Sequence, residues 1–158
     1  MRSPILFLAV LASRLAAGES FIGKGQLRTL WDGGEHEDLG CLTDTGLWSS
    51  NEALCGTFTG TPLDGYNIKT FNLTTAAGPC GILGAQFNCG EGNQPSPFGI
   101  YVLPGGIPGK DCLRYGQYGL MASPGDGGPP APNEPPIEIR FSSYSEKGKW
   151  VWVTWKAL

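Results

Sequence analysis

Apolar and polar residues alternate along this chain in short runs, with the two-residue period of half-buried strands. The clearest runs lie near the C-terminus. Ile137-Glu138-Ile139-Arg140-Phe141 places Ile137, Ile139 and Phe141 on one face. Residues 149–156 place Trp150, Trp152 and Thr154 on one face and Val151, Val153 and Trp155 on the other, with a hairpin turn at Gly148 between the two runs. Upstream, residues 26–31 begin a strand with Leu27 and Arg28 on opposite faces, closed by Asp32-Gly33-Gly34. Further strands are predicted at 57–59, at 66–73 with Phe71 and Asn72 on opposite faces, around a tight reversal at Gly84, and at 98–103 before Pro104-Gly105-Gly106. The proline-rich run at 123–136 cannot form a strand ladder and reads as an exposed loop. Residues 49–54 and 112–120 are the only stretches with room for a helical turn or two, and no internal repeat is visible.

Composition sharpens the picture. Twenty-five glycines and 13 prolines among 158 residues work against helices. The first 18 residues read as a signal peptide: Arg2 near the start, an apolar run at 5–12, and Ala16-Ala17-Gly18 before a cleavage site. The run is too short for the roughly 20 apolar residues that span a bilayer. The expectation is a secreted, extracellular monomer with no membrane segment, folded as one domain over residues 19–158. Its fold class is all-β, a compact antiparallel β-sandwich or barrel with short strands and long loops, stapled by disulfides. Loss of Arg2 and Arg14 leaves 9 of the 11 Lys+Arg against 14 Asp+Glu, a net charge of about -5. That balance argues against a partner held by its phosphates.

Of the five cysteines, Cys41, Cys55, Cys80 and Cys89 read as two bridges. Three connectivities are open. Cys41 with Cys55 and Cys80 with Cys89 is preferred, because each pair closes one short excursion, and each closure contributes about 3 kcal/mol in the chain-entropy model. No pair has the spacing of a structural zinc site. Cys112 is left over and is expected to be a buried free thiol.

The residues at 23–90 resemble the C-terminal domain of fungal T2-type ribonucleases. The resemblance is carried by Gly23-Lys24-Gly25-Gln26-Leu27, Gly40-Cys41-Leu42 with Gly46-Leu47-Trp48, Cys55-Gly56-Thr57-Phe58-Thr59, Phe71-Asn72-Leu73, Gly78-Pro79-Cys80-Gly81-Ile82 and Phe87-Asn88-Cys89-Gly90. Val151-Trp152-Val153-Thr154-Trp155 is similar to that domain's last strand, whereas the proline-rich stretch and Cys112 depart from it. In those enzymes the domain is an accessory module and catalysis resides upstream, in a domain with active-site histidines. The resemblance implies a stand-alone, non-catalytic accessory domain from a filamentous fungus.

Candidate chemistry is sparse, and neither a cofactor nor a metal is called for. The only histidine, His36, lies in Glu35-His36-Glu37-Asp38, a sequence with carboxylates for a divalent cation but without the spacing of a calcium loop, so a solvated turn is preferred. A hydrolase using His36 with Glu35 or Glu37 would draw acid and base from one glycine-flanked loop, a poor scaffold for proton transfer. The favoured function is binding, to cell-wall polysaccharide or a host protein, as a secreted fungal effector would do. Trp150, Trp152, Lys149 and Trp31 are the candidate contacts, because aromatic faces stack on sugar rings as on bases. Trp48, beside the first bridge, is assigned to the core. RNA binding through Arg140, Lys147, Lys149 and Lys156 is the weaker alternative, since four cations make a thin patch on an acidic chain. Asn72-Leu73-Thr74 is an N-glycosylation sequon.

Overall fold

A computed structural model of the chain describes residues 20–32, 35–65, 70–101, 107, 110–116, 121–122, 128–141 and 151–158. The proposed leader, Lys149, Trp150 and the turn at Gly148 lie outside the described residues. In chain order the strands are β1 (Gly23–Trp31), β2 (Asp38–Leu42), β3 (Trp48–Ser49), β4 (Phe58–Pro62), β5 (Thr70–Thr75), β6 (Gly78–Leu83), β7 (Gln86–Cys89), β8 (Phe98–Tyr101), β9 (Cys112–Tyr115), β10 (Met121–Ala122), β11 (Arg140–Phe141) and β12 (Val151–Ala157). A single 3-10 turn, Glu52–Leu54, starts at Asn51, whose side chain accepts a hydrogen bond from the Ala53 amide. No helix among the described residues is long and apolar enough to cross a membrane.

Every pairing is antiparallel, and the pairings close on themselves. β1 runs along β12 from Gly25 opposite Ala157 to Trp31 opposite Val151. Its other edge is divided between β4, which takes Gly23 to Gly25, and β2, which takes Arg28 and Leu30. From β4 the ladder continues through β5, β8 and β9 back to β12, a closed ring of six strands. A second path leaves β5 through β6, β7, β11 and β10 and returns to β12. Closure gives each of the six ring strands a neighbour on both sides, which removes their open edges as templates for another chain.

The main core fills the space these strands enclose. Leu27, Phe58, Phe71, Leu73, Phe87, Phe98, Leu113, Val151 and Val153 are essentially excluded from water. Phe87 is the hub, with ring centroids 5.6 to 6.4 Å from those of Phe58, Phe98 and Phe141. Trp48 is fully buried beside them. Phe21 enters from ahead of β1, stacks on Phe71 at 5.3 Å and adopts a positive φ of 63°, unusual for a bulky side chain. Its carbonyl packs so closely on Gly60 of β4 that a methyl group there would collide with the backbone.

Two expected elements take another form, and a third is only partly described. Cys112–Tyr115 is a strand rather than a helical turn, because Leu113 and Tyr115 pack on the main core while Cys112 faces the other way, a period of two. The run at 137–141 keeps Ile137, Ile139 and Phe141 on the inner side but is not one ladder strand. Ile137 exchanges both backbone hydrogen bonds with Trp48, Ile139 accepts from Phe87, and Phe141 donates to Ala85, so the segment is shared between two neighbours. The strand expected at 66–73 starts at Thr70, with residues 66–69 outside the described residues.

Candidate functional site

The sequence points to a solvent-facing aromatic side on β12, but over residues 151–154 both faces of the strand are covered. Val151, Val153 and Trp155 pack on the main core, while Trp152, only 2 % exposed, forms a second cluster on the outer side with Leu30, Ile107 and Cys112. Trp152 is therefore not a surface contact, a correction to its placement from sequence. Ile107 and, from β9, Cys112 cover this face of β12, which alternation within a single strand cannot reveal. The indole N–H of Trp152 donates to the Asp32 carboxylate, so its one polar atom is satisfied inside.

Tyr101 lies over Trp152 at a centroid distance of 5.1 Å and remains half-exposed. Trp31, at the end of β1 beside Val151, is likewise half-exposed and rests on the main core. Trp31 sits where β1 stops and β12 begins, on the main-core side of the wall, and Tyr101 covers Trp152 on the outer side of the same wall. Acidic side chains gather around the end of β1. Asp32 and Asp111 both act electrostatically on Cys112, and Glu35 and Glu37 are exposed in the turn that follows β1. Lys110 is the neighbouring cation.

His36 holds that turn. Its Nδ1 lies 3.0 Å from the Trp31 carbonyl oxygen, and since a carbonyl can only accept, Nδ1 carries the proton and donates. The Trp31 amide in turn donates to the Glu37 carbonyl. No cluster of three or more His, Cys, Asp or Glu side chains suited to a metal occurs among the described residues.

The structure joins Cys41 to Cys55 and Cys80 to Cys89. Cys80 and Cys89 stand directly opposite each other in the β6–β7 hairpin, whereas Cys41 ties β2 to the residue that ends the 3-10 turn. Cys112 is unpaired and fully buried, and that burial pushes its thiol pKa up to about 11.

One constellation had no signature in the sequence. Arg28, on the outer face of β1, is nearly buried between two carboxylates. Its Nε and Nη2 donate to Asp38 at 3.1 and 2.9 Å, its Nη1 and Nη2 donate to Glu52 at 2.8 and 2.6 Å, and Nη1 lies 3.4 Å from Cys55 Sγ. These bonds keep the guanidinium charged and hold the Glu52 carboxyl below its ordinary range. The strand pattern places Arg28 only on the face opposite Leu27. Only the fold brings a residue ten positions away and another 24 away onto it.

Asn72 lies in β5 between the buried Phe71 and Leu73, so it faces outward, opposite Thr61 of β4. Lys149 and Trp150 belong to the segment outside the described residues.

No curated protein and no solved structure matches the chain. A family model described as the RNase T2-like C-terminal domain matches residues 19–104, which takes in β1 to β8 and both bridges. That is more than half of the sequence, and the chain belongs to the RNase T2-like C-terminal domain family.

Proposed function

We propose that the chain is a secreted, non-catalytic accessory module that binds a neutral, hydroxyl-rich ligand of the cell-wall polysaccharide class. The observation that carries this reading is the pair of half-buried rings on the two sides of the β1–β12 wall, Trp31 and Tyr101, with Asp32, Glu35, Glu37 and Asp111 around the end of β1. Aromatic faces offer stacking surface, and carboxylates accept hydrogen bonds from hydroxyl groups. A phosphate backbone would meet like charge at the same place. Export is supported by the leader-like opening and by two bridges, which persist in oxidising compartments.

The non-catalytic part rests on the histidine count. T2-type transfer needs a base and an acid. This chain has one histidine, and its Nδ1 is engaged in holding a turn. For RNA binding, one of the four cations read from the sequence is already paired: Arg140 meets Glu138 at 3.0 Å.

The test is retention of purified protein on insoluble β-glucan, chitin and cellulose. Retention at both low and high salt, lost in Trp31→Ala and Tyr101→Ala, is the expected result. No retention on any of the three removes the polysaccharide ligand. Salt-sensitive capture of single-stranded RNA would put RNA in its place, and RNA cleavage that disappears in His36→Ala would overturn the non-catalytic assignment.

A further inference from the structure

We infer that Asn72 carries an N-linked glycan in the exported protein and that this sugar covers the outer face of β4 and β5. Asn72-Leu73-Thr74 is the one Asn-x-Ser/Thr sequence in the chain. Three features of the fold make the glycan fit, none of them dependent on polysaccharide binding.

The first is direction. Phe71 and Leu73 are buried on either side of Asn72, so the alternation of β5 turns the amide outward, and Thr74 beyond it is exposed. The second is space. β5 changes partner at this point: Thr70 and Phe71 pair with β8, while Thr74 and Thr75 pair with β6. Asn72 stands at the seam where those two strands part, and its remaining cross-strand neighbour is the small Thr61.

The third is the character of the surface. The outward positions of β4 and β5 are Thr59, Thr61, Thr70, Asn72 and Thr74, and none is charged. Folded sheets ordinarily keep such neutral strand surfaces apart with charged side chains. Along the register the flanking charges are Lys24, opposite Thr59, and Arg114, whose guanidinium lies over Gly99 opposite Thr70. A bulky, hydrated glycan provides the same protection without charge. Its presence places the ligand-binding surface elsewhere on the barrel.

The modification is a group transfer from a polyprenyl-pyrophosphate-linked oligosaccharide. The Asn72 Nδ2 bonds to the anomeric carbon, the bond from that carbon to the pyrophosphate oxygen breaks, the amide gives up one proton, and the polyprenyl pyrophosphate leaves. Nothing is oxidised or reduced.

The full chain, with its own leader, is expressed in a yeast and analysed by intact mass before and after peptide N-glycosidase in 18O-labelled water. The expected result is loss of sugar with one 18O incorporated at position 72. Asn72→Gln and Thr74→Ala should emerge without the sugar, and Thr74→Ser should retain it. Circular dichroism and a count of intact bridges show that the variants are folded. A wild-type chain recovered without sugar, or a sugar that persists in Asn72→Gln, overturns the inference.

Discussion

Arg28 sits on the face of β1 opposite the buried Leu27, and it is the most heavily bonded side chain on that outer surface. Its partners remain accessible, Asp38 at 49 % and Glu52 at 65 %, so solvent screens the pairing and its net worth is modest. The direction of its pH dependence is nonetheless fixed. Arg28 lowers the Glu52 pKa below 4.5, so Glu52 stabilises the fold fully above that pH and loses the contribution as pH falls through its folded value. Urea midpoints measured from pH about 6 down to about 3 should therefore fall more steeply in the wild type than in Glu52→Gln. An equal slope in both proteins would contradict this. Cys112 gives the opposite sign. Its thiol, raised from 9.0 to about 11 by burial, is protonated and inaccessible at neutral pH. Iodoacetamide should leave native protein unlabelled and add to one cysteine after denaturation without reductant, read by mass. That Cys112 is a leftover thiol was legible from counting cysteines. The Arg28 cluster was not, because Asp38 and Glu52 converge on it only through the β1–β2 pairing and the Cys41–Cys55 bridge.

At the scale of elements, what the sequence conveyed depended on whether the deciding contact was local. The β6–β7 hairpin was visible in its bracketing cysteines and in Gly84, and the alternation of β12 matches the two faces observed. Which strand face meets water was not visible on β12, because β9 and Ile107 cover the side that alternation left open. The hairpin also contains a residue that the turn does not favour. Its reversal places Gly84 at φ 55° and Ala85 at φ 72°, and only the first is free of a Cβ penalty. An alanine in the left-handed region costs about 1 to 2 kcal/mol, partly offset by the chain entropy that glycine adds. Ala85→Gly should thus stabilise the protein by about 0.5 to 1 kcal/mol in chemical denaturation. The reverse change on β4 should do harm. A methyl group at Gly60 meets the Phe21 carbonyl, backbone that cannot swing aside, so Gly60→Ala should cost about 2 to 3 kcal/mol. If Gly60→Ala leaves the urea midpoint unchanged, Phe21 does not pack on β4 as described.

For the whole molecule, the family match and the closed sheet have different boundaries. The match ends at residue 104, but the six-stranded ring needs β9 and β12, which lie beyond it. β12 covers β1 along its full length, joining residues from opposite ends of the chain. Leu113, Ile139, Phe141, Val151 and Val153 supply five of the sixteen buried side chains that the described residues contribute to the main core. A chain cut at residue 104 would leave one edge of β1 unpaired, β8 without β9, and Phe87 and Phe98 facing water in place of Phe141. Losing several large apolar contacts, each worth about 2 to 5 kcal/mol on deletion, exceeds the typical 5 to 15 kcal/mol stability of a domain. The bridges do not rescue it, since both lie within residues 41–89 and staple excursions that the missing strands would have roofed. Residues 20–104 expressed alone should therefore bind a hydrophobic dye, lack near-ultraviolet circular dichroism and unfold without a cooperative transition, whereas residues 20–158 should unfold in one sigmoidal step. Because so many pairings join distant residues, that longer chain should refold in milliseconds to seconds rather than microseconds. A cooperative transition in the shorter fragment would mean that the matched segment is an independent fold and that β9 and β12 merely decorate it. The closed ring predicts instead that the C-terminal strand is the last indispensable piece.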